Sequence, residues 1–532
     1  MTAEMRQRSP ASPPTARPAW ALALAALAIA ALVLLARPQP TWDAAEVDGL
    51  AAGAQLADAL TTGAGGLRER VQRGFGGVPG HPLCAAVPDS LSCRQAATDS
   101  PLLRWFVAAS ALTMPAGDDA SSAGLGAALA FALAAFLAGL LLARQLGLGV
   151  PTVLLGAALV ALMPGALASA STAGAASLSA LVIALVLLGI QRVVRGRDAL
   201  LAGAAIGLAL SLHPAGLTLL VPLFICAAIA QRPRIPAAPD PGLLPLPPVA
   251  LTLFLAPAVA ALVFVLLWPA AWHGTSKHLG AWIQSGLAFR APAQAIVGTA
   301  FEQASGRAPT AAVAFLQWIA WTPTPLLAAW VVGVAATARA GRSGLWSPLL
   351  VLAAVLIAAG LDAGLFGARR NLLAWLWIPT ALTASVGVVA LGDWLARQRP
   401  RLSPALAGAL VALAVMFMPA LALVVGAEPT AAALLGAPIR APLPAYVVDS
   451  GEGEAAEAGV HVVASADGYA YGLQVLSERG PRAFHWVPTV EGAAWVFVVH
   501  DRPDLVVDAL AGREPRDTVY AGGVRVDVYG AP

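Results

Sequence analysis

Three carboxylates, Asp43, Glu46 and Asp48, fall within six positions of the stretch TWDAAEVDG, directly after an apolar run. A carboxylate held where a nucleophile is presented can accept that nucleophile's proton, a role worth about 10²–10⁴-fold in rate. The same spacing has a structural use. Asp43-Ala44-Ala45-Glu46 has the form of a capping box, in which the first side chain accepts from backbone N–H groups and the fourth reaches back. Acids also suit the positive end of a helix dipole. Both uses are compatible, because a capped helix start fixes a carboxylate in space.

What must position these acids is a chain made for lipid. Of 532 residues, 58% are hydrophobic and only 11% charged, with mean hydropathy +0.75. Soluble domains carry about 25% charged residues. The net charge of +3 is too small to suggest nucleic acid as a partner. Lys277 is the only lysine; every other basic residue is arginine.

Apolar runs suggest membrane helices near 19–36, 124–143, 149–166, 171–191, 198–212, 215–231, 247–268, 314–338, 347–366, 371–395 and 404–426, about eleven crossings. The first has no small-x-small cleavage site after it and reads as an uncleaved helix. Arginine clusters set the orientation. Arg6, Arg8 and Arg17, then Arg144, Arg192/Arg195/Arg197, Arg232/Arg234, Arg339/Arg342 and Arg397/Arg399/Arg401 all fall on one side if the path alternates. That side is expected to be the cytoplasm. The path requires 198–231 to cross twice, turning at Leu212-His213-Pro214, with both short halves buried inside the bundle.

Residues 1–18 are then a cytoplasmic tail, 19–426 the membrane domain, and 38–123, 269–313 and 427–532 lie outside. Within the first external loop, AAEVDGLAAGAQLADAL (44–60) and PLLRWFVAASALTM (101–114) read as amphipathic segments at the membrane surface. The last hundred residues carry strand-like runs at 460–466, 482–488, 495–501 and 518–530, with helix-like runs at 467–479 and 503–513 between them. They predict a small extramembrane α/β domain. The spans are nearly free of charge: Asp362, His213 and Arg369-Arg370 sit near external ends and Asp393 near an internal one. Transport pathways usually need ionisable groups in mid-span, so this distribution favours chemistry at the outer boundary.

Cys84 and Cys93 flank a short polar loop and can pair if that loop faces an oxidising compartment; Cys226 lies in an apolar run and reads as packing. His213, before a proline, reads as a turn residue. His273 and His278 flank Lys277 without a third ligand, so no metal is expected.

A membrane span followed by an external W-D-x-x-E-type motif resembles the GT-C glycosyltransferases, especially the branch that contains the protein O-mannosyltransferases (family 39) and the aminoarabinose transferases. DSPLLRWFVAASAL (99–112) resembles the family's H-P-P-L-Y-Y-like segment and interfacial helix. The stretches 163–192 and 200–222 resemble its central spans. WPAAWHGTSKHLGAWI (268–283), WTPTPLLAAWVVGV (321–334) and RRNLLAWLWIPTALTASVGVV (369–389) resemble its second external loop, its T-P-x-P-L helix and its R-Y-x-L-P-x-x-P stretch. The resemblance spans about 19–426 and departs in two places. The family's adjacent acids are spread here to Asp43 and Glu46, and His81-Pro82-Leu83 lies upstream of the expected site.

The resemblance implies a hexosyl or pentosyl transferase of the inner (plasma) membrane. Its donor would be a sugar on polyprenyl phosphate, used without cofactor. The acceptor, a protein, lipid or glycan, is left open. It implies a base, Asp43 before Glu46, with Asp48 third, and cations for the donor phosphate, Arg369, Arg370 and Lys277. The plainer readings stay beside these: lipid-headgroup contacts for the arginine pair and a solvated loop charge for Lys277. A lipid-linked sugar transporter and a non-catalytic membrane scaffold are the competing functions.

Overall fold

The computed structural model describes residues 19–36, 44–62, 65–75, 100–114, 119–147, 149–161, 163, 175–230, 248–272, 276, 315, 318–319, 322–341, 343–361, 374–425, 459–463, 485–486, 490–499, 510–521 and 524–530. Each predicted apolar run contains a helix. In chain order these are α1 (Ala19–Ala36), then two external helices, α2 (Ala44–Thr62) and α3 (Leu67–Gly74), and the interfacial α4 (Pro101–Thr113). The bundle continues with α5 (Asp119–Leu146), α6 (Val150–Ala161), α7 (Ala175–Val194), α8 (Leu200–Leu212), a 3-10 turn (Pro214–Leu219), α9 (Leu220–Ala230) and α10 (Pro248–Leu267). After a short 3-10 turn (Pro269–Trp272) come α11 (Thr324–Ala340), α12 (Ser343–Leu361), α13 (Ala374–Gln398) and α14 (Pro404–Val425).

Among the described residues three helices are long and apolar enough to cross a membrane by themselves: α5, α7 and α13. In the other bundle helices the stretches whose side chains are described are also apolar, each 10–17 residues long. Large apolar side chains such as Phe254, Leu262, Leu266, Leu413 and Phe417 stand exposed on the outer helices. With so much apolar surface turned outward, the chain is a helical membrane protein.

Helix direction can be read where backbones approach most closely. A Cβ on Gly203 would meet Ala256 and Val259, and one on Gly207 would meet Ala260 and Val263. Contacts that advance together along both chains make α8 and α10 parallel. The chain must therefore run back between them, through the 3-10 turn and α9. That return is about 28 Å long, near the thickness of a bilayer's hydrocarbon core. Likewise a Cβ on Gly333 would strike the Thr383 carbonyl and one on Gly387 the Ala329 carbonyl. Each Cβ leans toward its own helix N-terminus, so this reciprocal pattern makes α11 and α13 parallel, with α12 as the return.

Two expectations about the bundle need correction. α8 is buried, with nine of its thirteen residues inside, but α9 buries only Pro222, Leu223, Cys226 and Ala227. Its Val221, Ile225 and Ile229 recur every fourth residue on the exposed face. Small residues let α8 into the interior, whereas β-branched bulk keeps α9 at the rim. Second, the run 314–338 is not one helix. α11 starts at Thr324 with Pro323 as its N-cap and Pro325 in its first turn. Neither proline can donate the backbone bond that would carry a helix through from Trp318.

The C-terminal strands form one mixed sheet in the order β2-β1-β3-β5-β4: β1 (Gly459–Val463), β2 (His485–Trp486), β3 (Trp495–Val499), β4 (Asp517–Ala521) and β5 (Val524–Gly530). β1 pairs in parallel with β2 and β3, which demands crossover connections. The run 518–530 is not one strand but a hairpin. β4 and β5 pair antiparallel, with Ala521 opposite Val524. The predicted helix at 467–479 lies outside the described residues. Of the one at 503–513, the described end is a turn with Gly512 at φ +80°.

Candidate functional site

The two ends of the bundle differ sharply in chemistry. At one end Arg195 donates to the Arg144 carbonyl at 3.0 Å, Gln145 donates to the Gly344 carbonyl at 3.0 Å, and Arg192 pairs with Asp198 at 3.0 Å. The hydrogen bond from Arg192 holds the Asp198 carboxyl below its ordinary value of 3.8. This is the arginine end foreseen from the charge pattern. Arg339 and Arg397 lie in the last turns of α11 and α13, with Asp393 close before Arg397.

The opposite end carries a layer of helices. α4 lies across it as a strap. Ser100, the N-cap of α4, donates its hydroxyl to the Ser211 carbonyl near the end of α8, at 3.0 Å. Trp105 donates its indole N–H to the carbonyl of Leu267, the last residue of α10, at 2.9 Å. Both acceptors are carbonyls in a final helical turn, where the helix supplies no donor of its own. Arg104 points the other way. Buried to 4% exposure, it donates to the Gly74 carbonyl at the end of α3 at 3.2 Å, and its guanidinium lies 5.0 Å over the Phe75 ring. Phe75 in turn packs on Trp105 with ring centroids 5.5 Å apart.

α2 closes this layer. Its Ala52, Leu56, Ala57 and Ala59 are buried, a helical spacing that faces α3 and α4. Gly53 lets it sit directly on Val107, since a Cβ there would collide with that side chain. The predicted amphipathic segments at 44–60 and 101–114 are thus helices, and they pack on each other.

The acidic motif stands at the start of this layer. α2 begins at Ala44, so Glu46 and Asp48 fall in its first two turns and Asp43 immediately precedes it. Asp43 itself, Lys277, Arg369, Arg370, Cys84, Cys93, Asp362, His273 and His278 lie outside the described residues, as do the side chains of Glu46 and Asp48. The disulfide and the phosphate-binding cations therefore remain expectations.

Next to the layer, His213 caps the turn between α8 and α9. It is 7% exposed and its Nδ1 accepts from the Ala215 N–H at 3.1 Å, which puts the proton of the neutral ring on Nε2. Trp318 donates to the Thr380 hydroxyl at 2.8 Å and packs edge-on against Trp330, fixing the start of α11 to α13. Arg369 and Arg370 precede α13 by only a few residues in sequence. Among the described residues no three His, Cys, Asp or Glu side chains gather as metal ligands.

No protein-family model matches this chain, and no curated protein does. Among solved structures it is similar to the archaeal oligosaccharyltransferase AglB from Archaeoglobus fulgidus, in complex with an inhibitory peptide and a dolichol-phosphate. The identity is 13%, the TM-score 0.47, and the match covers 90% of this chain and 69% of that chain. A likeness this loose assigns no activity.

Arg104, Trp105 and Ser100 were not singled out as site residues by sequence alone. The readable signal was an arginine next to a tryptophan inside an otherwise apolar interfacial segment, LLRWFV.

Proposed function

We propose that this chain is a GT-C-type membrane glycosyltransferase that moves a sugar from polyprenyl phosphate to an acceptor at the outer face of the plasma membrane. In this reading the bundle crosses eleven times, with the arginine end and the N-terminus in the cytoplasm.

One observation carries the reading: the helical layer at the bundle end away from the arginines. α2 starts one residue after Asp43, packs on α4, and α4 is bonded to the ends of α8 and α10. This supports a fixed station for the carboxylates at the rim of the bundle. The absence of charge along the described bundle interior favours surface chemistry over passage through it.

The step balances as follows. An acceptor O–H or N–H attacks the anomeric carbon, a new bond forms there, and the bond to phosphate oxygen breaks with inversion. Asp43, with Glu46 second, takes the acceptor's proton, a gain of about 10²–10⁴-fold. Polyprenyl phosphate leaves with one more negative charge than it had in the diester. Arg369 and Arg370, with Lys277, are the cations proposed to stabilise that charge, arginine's two-pronged donor fork matching phosphate oxygens. No metal is required by this scheme.

The test is to supply membranes containing the protein with a panel of radiolabelled polyprenyl-phosphate sugars and native acceptor membranes, and to follow free polyprenyl phosphate. Release that depends on the protein supports transfer. Movement of the intact donor between leaflets without release is the result a transporter would give.

A further inference from the structure

At the arginine end, a cleft of about 340 Å³ opens where the C-termini of α5 and α7 meet the turn between α11 and α12. Its walls include Arg144, Arg195, Gln145, Gln191, Gly344 and Leu345. Neither arginine is paired with an acid among the described residues, and the neighbouring acid, Asp198, is taken by Arg192. Leu345 and Gly344 belong to the first turn of a 19-residue helix, α12, where backbone N–H groups lack helical partners and the dipole favours negative charge. Gly341 and Gly344 keep the cleft open, since a Cβ built on either would touch nothing.

A second observation is independent of the positive charge. Gln191 is 3% exposed, and its Oε1 meets no protein donor among the described residues. Gln145 Oε1 is in the same position, and its orientation is set by the bond from its Nε2 to the Gly344 carbonyl. The cleft therefore combines cationic donors with buried amide acceptors. An anion alone would satisfy only the first. A phosphate ester that carries hydroxyl groups would satisfy both, its phosphate oxygens accepting from the arginines and the α12 amides while its O–H donates to glutamine.

We infer that this cleft binds a hydroxyl-bearing phosphate group, the chemistry of a glycerol-phosphate lipid head group at the membrane surface. It would join α5 and α7, from the first half of the bundle, to α11 and α12 from the second. This site is separate from the proposed transfer site, at the other end of the bundle, and stands whether or not that proposal does.

The experiment uses the full-length protein in neutral detergent, with thermal unfolding and native mass spectrometry as readouts. The probes are phosphatidylglycerol, phosphatidylcholine, glycerol-1-phosphate and inorganic phosphate. Phosphatidylglycerol is expected to bind and raise the melting temperature, with affinity reduced about tenfold or more in Arg144→Gln. Gly344→Leu keeps every charge and adds a side chain at a cleft wall where a Cβ meets nothing within 4 Å. It should bind phosphatidylglycerol as poorly while its unliganded melting temperature stays at or above the wild-type value. An equal, Arg144-dependent effect of glycerol-1-phosphate would support the same site with a soluble source. Binding of phosphatidylglycerol unchanged in both variants, or matched by phosphatidylcholine, would overturn the inference.

Discussion

The indole N–H of Trp105 reaches the carbonyl of Leu267 at 2.9 Å, across 162 residues of sequence. This bond ties the helical layer to the end of α10. Trp105→Phe keeps a ring against Phe75 and removes the donor. We expect a loss of about 1 kcal/mol of stability. Thermal unfolding in detergent measures it, and limited proteolysis should show earlier cutting in 37–100. Equal unfolding and equal cutting in variant and wild type would mean the strap is held by packing alone.

Arg104 is the second tie. Methionine would keep its length while removing the bond to the Gly74 carbonyl and the contact over Phe75. The expected cost is about 2–3 kcal/mol, because a buried carbonyl loses a charged donor. Arg401→Met, exposed at the other end of the bundle, should change stability by less than about 0.5 kcal/mol. The difference between the two melting temperatures is the readout.

Close packing of α11 on α13 depends on two glycines. A side chain at Gly387 would strike the Ala329 carbonyl, so Gly387→Val should cost about 3 kcal/mol or prevent accumulation of folded protein. Gly408 is the contrast, because a Cβ there meets nothing. Gly408→Ala should be neutral or slightly stabilising, since alanine favours the helix. Equal effects of the two substitutions would contradict the close approach of α11 and α13 at Gly387.

Sidedness is testable without activity. In a background lacking the native cysteines, Thr113→Cys and Arg197→Cys, both at exposed positions, should react with a membrane-impermeant maleimide from opposite sides. Intact cells should label the first, and permeabilised cells both. Labelling of Arg197→Cys in intact cells would invert the proposed orientation.

Much of the bundle was legible from sequence because its signals are local. Apolar runs located the helices, Pro214 marked the turn after α8, and the arginines among the described bundle residues collect at one end as charge and lipid require. Hydropathy could not separate α8 from α9, since both are apolar on all sides and only packing decides which faces lipid. The proline pair that delays α11 was visible but was overridden by the apolar run around it. The site divides in the same way. TWDAAEVDG is a contiguous pattern, and the helix it predicts begins where expected. The bonds that fix that helix layer join residues 30, 111 and 162 positions apart, which no periodicity reports.

The central claim is that Asp43, at the start of α2, takes the acceptor's proton. The direct measurement is the rate of polyprenyl-phosphate release from the donor that wild-type membranes consume, compared with Asp43→Asn and Glu46→Gln at equal protein level. We predict a loss of about 10²–10⁴-fold in Asp43→Asn and a smaller loss in Glu46→Gln. Release at the wild-type rate in both variants would contradict the account.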